Sequence, residues 1–131
     1  MPDRIAQIET PMARVVRTAD ALVEIHLRPE VRVDVAGLEE ALDARKTLMD
    51  GTKGAILFVA HGDLNRDSKV MQHDLFAERG TDITAVAVLV SSRVLGLTVK
   101  AYCELHPTEF PTRVDGDEGA VRAWLVDQPI P

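Results

Sequence analysis

Along this chain the spacing of hydrophobic and polar positions changes several times, and each change marks an element. After a polar, proline-bearing lead over 1–11, Arg14-Val15-Val16-Arg17 is short and β-branched, and Thr18-Ala19-Asp20 follows as a turn. Val23, Ile25 and Leu27 then alternate with Glu24, His26 and Arg28, the period-two signature of a strand with one dry face and one wet face. Two strands joined so tightly must be antiparallel, since a parallel return needs a crossover of about a dozen residues. From Asp34 the period becomes helical: Val35, Leu38, Leu42 and Met49 recur on one face, and Glu39, Glu40, Asp43, Arg45 and Lys46 fall on others. This predicts a helix over 35–49 with Asp34 as N-cap, the late Arg45 and Lys46 suiting its dipole and Gly51 ending it.

Residues 55–60 and 85–90 are apolar on both faces, as strands covered from both sides are. Between them lie a polar loop, His61 to Asp67, and a helix expected from Ser68 to about Arg79, with Val70, Met71, Leu75 and Phe76 inward. Strand, helix, strand makes a right-handed crossover with the two strands parallel. A third helix follows Ser91-Ser92, taking its apolar surface from Val94, Leu95, Leu97, Val99, Tyr102 and Leu105, with Gly96 for close approach and Pro107 as its limit. A short strand over 112–114 leads to a last helix, in which Asp117 and Glu118 suit the N-terminus and Glu118 pairs with Arg122. The order read from pattern is ββαβαβαβα, a single α/β domain over 1–131 with helices packed on a mixed sheet.

Composition narrows the function classes. The 131 residues carry 15 Lys+Arg against 21 Asp+Glu, a formal charge of −6, with 46% hydrophobic and 4% aromatic residues. That balance is adequate for a core and poor for nucleic-acid binding. No apolar run approaches the ~20 residues that span a bilayer, so no membrane insertion is expected. The lone Cys103 and the lack of an export signal point to the cytoplasm.

The stretches Ala85-Val86-Ala87-Val88-Leu89-Val90-Ser91-Ser92-Arg93-Val94-Leu95-Gly96, Pro111-Thr112-Arg113-Val114 and Asp117-Glu118-Gly119-Ala120-Val121-Arg122-Ala123-Trp124-Leu125 resemble a bacterial STAS/CRAL-TRIO-like family, and the element order resembles the SpoIIAA-like STAS fold. The resemblance implies a mixed sheet with helices over it and a cytoplasmic regulatory module that binds a protein partner or itself, a homodimer being one form. Its CRAL-TRIO side implies a small apolar or lipid-like ligand instead: such pockets form between helices and a sheet, and the third helix carries enough Leu, Val and Tyr to line one, although the same residues are what an ordinary core needs. In antagonist-type STAS domains a phosphorylatable Ser or Thr follows an Asp at a helix start, and Asp67-Ser68 stands at the matching place. There the antagonist pattern continues with glycine, whereas this chain reads Lys69-Val70-Met71. The plainer role for Asp67 or Ser68 is helix capping.

Candidate chemistry concentrates in the loop beyond the carboxyl end of the strand at 55–60, where open α/β sheets place ligands. His61, Asp63, Asn65, Asp67 and Ser68 are the candidate ligand or partner contacts. His61 with Asp63 could also serve acid/base chemistry in a small enzyme. His73 and Asp74 are adjacent and should diverge on a helix, so no metal site and no catalytic set is assigned. Gly51-Thr52-Lys53-Gly54 lacks phosphate-loop spacing and is read as a helix-to-strand turn. No cofactor motif is found. The leading expectation is a non-enzymatic binding module.

Overall fold

The computed structural model describes residues 6–61, 67–77 and 81–128. It is an α/β arrangement of one six-stranded mixed sheet and three α-helices. The elements are β1 (Gln7–Glu9), β2 (Ala13–Ala19), β3 (Leu22–Leu27), α1 (Val35–Met49), β4 (Gly54–Ala60), a 3-10 helix (Ser68–Gln72), β5 (Ile83–Val90), α2 (Arg93–Leu105), β6 (Thr112–Asp115) and α3 (Glu118–Val126). Strand order in the sheet is chain order, β1 to β6. The first three strands pair antiparallel and β3 through β6 pair parallel.

Alternation along β3, β4 and β5 sorts side chains onto two faces. Val23, Ile25, Ile56, Phe58, Val86 and Val90 meet Leu38, Leu42 and Met49 of α1 and Leu95 of α2 in one core. Ala55, Leu57, Val59, Ala85 and Ala87 point the other way and are closed over by Val121 and Leu125 of α3. The continuous apolar runs of β4 and β5 therefore reflect burial on both sides.

Caps set the helix ends. Asp34 accepts the Gly37 N–H at 2.7 Å, Ser92 accepts the Leu95 N–H at 3.2 Å and Asp117 accepts the Ala120 N–H at 3.2 Å, each satisfying an orphan donor of a first turn. α1 closes on Asp50 in the left-handed region, with Gly51 continuing it at φ 83°. Gly96 sits against Val90, where an added Cβ would lie 3.2 Å from its Cγ2. The segment 51–53 is a turn that leads into β4, tied by Thr52 Oγ1 donating to the Met49 carbonyl at 2.6 Å.

Four readings from the pattern change. The polar lead holds a strand: β1 pairs with β2, and Arg17 N–H donates to the Ala6 carbonyl at 2.7 Å. The expected helix over 68–79 is instead a single 3-10 turn, Ser68–Gln72, followed by an extended His73. An α-helix would join the Leu75 N–H to the Met71 carbonyl. Here that N–H donates to Tyr102 Oη at 2.9 Å, and the carbonyl accepts from His106 Nε2 at 2.8 Å, so side chains of α2 and its C-cap take the bonds a helix would use. Arg45 does not face solvent. It is 2% exposed and joins Asp82 Oδ1 at 2.9 Å. Glu24, expected on a wet face, is 5% exposed beneath α3.

Candidate functional site

The loop residues first singled out divide. His61 is exposed just past the end of β4, and Asp63 and Asn65 lie outside the described residues. Asp67 caps the 3-10 turn by accepting the Lys69 N–H at 3.0 Å, and its own N–H donates to the Val33 carbonyl at 2.8 Å. Ser68 is exposed as the first residue of that turn. His73 reaches Glu39 of α1 at 3.2 Å while Asp74 accepts from the Phe76 N–H at 3.3 Å, so the two diverge. Among the described residues no three His, Cys, Asp or Glu side chains come together as a metal centre requires.

What the tertiary structure builds is an apolar cavity of about 150 Å³ between α2 and the sheet. Phe58, Val86 and Val88 form its floor, Leu38 of α1 and Leu95, Val99 and Cys103 of α2 form walls, and Val70, Met71, Leu75 and Phe76 of the 68–76 segment form a cover. Phe76 also packs edge-on against Phe110, with ring centroids 5.3 Å apart. The cover is a 3-10 turn and the turn after it, tied within itself by His73 N–H to the Val70 carbonyl at 3.3 Å and Ala77 N–H to the Asp74 carbonyl at 3.4 Å, and α2 anchors it. Tyr102 Oη donates to the His73 carbonyl at 2.6 Å while accepting the Leu75 N–H, and His106 donates to Met71 O.

These bonds decide the chemistry of the cavity. Burial pushes the Tyr102 hydroxyl's pKa up, Asp74 adds to the rise, and the Leu75 N–H pulls part of it back. The hydroxyl therefore stays protonated and able to donate. Burial likewise pushes the Cys103 thiol up, against a bond with Thr112 that lowers it, which keeps it neutral and weakly nucleophilic. With the polar groups of Tyr102 and His106 engaged by the cover's backbone, the cavity offers a guest mostly hydrocarbon, aromatic edge and thiol. Sequence reasoning allows the Leu, Val and Tyr of this helix to line a pocket but favours an ordinary core, because their helical spacing is the same whether the space beneath them is filled or empty.

On the opposite face lies a charged cluster. Glu24 accepts from Arg122 through both carboxylate oxygens, at 2.9 and 3.3 Å, and meets His26 Nε2 at 3.0 Å; Arg122 also pairs with Glu118 at 2.8 Å. Burial alone would raise the Glu24 pKa, but the bonds from Arg122 and His26 outweigh it and hold it below its ordinary 4.5. A carboxylate with a depressed folded pKa contributes stability that is present above 4.5 and lost as pH falls through the lower folded value. Glu24→Gln is expected to flatten that dependence: urea unfolding at about pH 6.5 and about pH 3.5 should differ less in the variant than in the parent. Equal slopes in the two proteins would remove Glu24 as the source.

Among the described residues no helix is long and apolar enough to cross a membrane. Comparison with curated proteins and with solved structures finds no match to this chain. A family model does match, over residues 16–128, a span running from β2 through α3 and so including the cavity and the Glu24 cluster. The chain belongs to the family described as a domain of unknown function, DUF7793.

Proposed function

We propose that this chain is a non-enzymatic binding module whose ligand is a small apolar molecule, held in the cavity between α2 and the sheet. The observation that carries the reading is a cavity of about 150 Å³ lined by Leu, Val and Phe side chains, since apolar cavities of that size stay dry and admit molecules such as benzene or xenon. The volume favours a guest of about one aromatic ring and is small for a lipid chain, which narrows the lipid-like ligand implied by the CRAL-TRIO resemblance. A SpoIIAA-like fold and a cytoplasmic setting accord with this reading, and the sheet order with helices on both faces supports the first of them.

The test is a titration with benzene, followed through the methyl resonances of Leu75, Val86 and Val99. Saturable shifts confined to cavity methyls are expected, and benzene at ten times its dissociation constant should stabilise the fold by about 1.4 kcal/mol. Val99→Phe, which places a ring in the space, should abolish both effects while leaving the circular dichroism of the parent. Slower alkylation of Cys103 in the presence of benzene gives a second readout. Unmoved methyl resonances together with an unchanged alkylation rate would refute the reading.

A further inference from the structure

We infer that the outer face of α2 docks a second copy of this chain, helix against helix, antiparallel about a two-fold axis. Three of the four large hydrophobics exposed among the described residues are on this one helix: Val94 at 69%, Leu97 at 60% and Leu105 at 59%. At about 100° per residue these three and the exposed Ala101 fall on a single stripe opposite Leu95, Val99 and Cys103, which face the sheet and the cavity. α2 is thus apolar on both sides. A helix of that kind is normally covered on both, and within the described chain only its inner side is.

Charge selects the occupant. Beside the stripe lie Arg93, Lys100 and Glu104, all exposed and within about 40° of one another around the helix, basic toward the N-terminal end and acidic toward the C-terminal end. The exposed Glu109 follows beyond the helix end. With Ala101 at the two-fold axis, antiparallel pairing sets Lys100 near Glu104 of the second copy and Leu97 opposite its Leu105. Parallel pairing would set this charged flank against the other side of the stripe, near Thr98 and Tyr102, and leave these charges without partners of opposite sign. The small Ala101 side chain lets the helices approach at the axis, and the helix dipoles then oppose one another favourably. A stripe one helix wide covers less than the roughly 800 Å² per partner of a standard stable interface, so the association is in the micromolar range. It does not depend on the cavity being occupied.

Sedimentation velocity on the full chain, from about 1 µM to about 1 mM, tests this against the concentration scale of such an interface. A monomer–dimer equilibrium is expected. Leu97→Glu should leave the protein monomeric, and Lys100→Glu should weaken the dimer about tenfold or more by setting like charges together. Combining Lys100→Glu with Glu104→Lys restores opposite charges across the axis and should return the dimer. All three positions are exposed, so parent-like circular dichroism is expected in every variant. A wild-type monomer throughout the range, a dimer indifferent to Leu97→Glu, or a charge-swapped double variant that fails to recover would each overturn the proposal. Val99→Phe, which closes the cavity, should leave the dimer intact, so failure of the ligand reading and failure of this one are separable.

Discussion

Asp82→Ala is expected to cost about 3 kcal/mol or more of unfolding free energy, whereas adding Arg45→Met to it should recover much of that loss. The reason is the burial of Arg45, 2% exposed under α1, with Nη1 on Asp82 Oδ1 and Nη2 on the Asp82 carbonyl, both at 2.9 Å, and on the Gly54 carbonyl at 3.4 Å. Removing the carboxylate strands a guanidinium in low dielectric, and breaking a buried pair from one side costs about 3–5 kcal/mol. Replacing both partners removes the charge as well, and an apolar residue of similar length in place of a buried ion pair is often close to neutral. Urea denaturation of the two variants and the parent decides it. A loss of under about 1 kcal/mol in Asp82→Ala, the size of a surface pair, would show that Arg45 is not anchored as described.

Tyr102→Phe should destabilise the cover of the cavity more than the fold around it. The phenol oxygen alone serves two backbone groups of the cover, the His73 carbonyl and the Leu75 N–H, and Phe keeps the ring while deleting both bonds. An orphaned, partly buried backbone group costs about 1–3 kcal/mol, so a global loss of about 1–2 kcal/mol is expected. The diagnostic measurement is hydrogen exchange. Amides over 69–77 should exchange faster in the variant, while those of β4 and β5, bonded within the sheet, keep their parental protection. Unchanged protection at Leu75 would mean that the cover holds without α2. In the ligand reading the same variant should also speed escape of benzene from the cavity, because the segment over it opens more often.

Much of the scaffold was legible in the pattern of residues, for physical reasons that can be named. Helix α1 came out at its residue bounds because an amphipathic period, an Asp cap and a glycine-containing stop agree locally. The β2–β3 hairpin followed from connection length, and the parallel pairing of β4 with β5 from reading a strand–helix–strand crossover, a pairing that holds although the connecting helix is a 3-10 turn. The candidate site was far less legible. The loop from His61 to Ser68 drew notice because its residue types can do chemistry, yet Asp67 is engaged in capping. A pocket lined by the third helix was legible only as an option ranked below an ordinary core, since Val99, Tyr102 and Cys103 have the spacing of any core helix.

The segment after Asp67 shows where local pattern loses to tertiary contact. Val70, Leu75 and Phe76 pack on the core and Met71 lines the cavity, so their hydrophobicity was read correctly. Their backbone was not, because Tyr102 and His106, about 30 residues further along the chain, compete for the hydrogen bonds of Met71 and Leu75. The same holds for Glu24, whose partner Arg122 is 98 residues away.

Residue order by itself determined the three α-helices, the five strands from β2 to β6, and that the central strands are covered twice, because these depend on period, caps and loop length within a few residues. Tertiary structure alone decided which side of α2 meets the sheet and which meets water, whether Arg45 and Glu24 are solvated or buried, and that a space remains beneath the 68–76 segment. Each of those is a sum over contacts from distant parts of the chain, and a local pattern of polar and apolar positions carries no record of them.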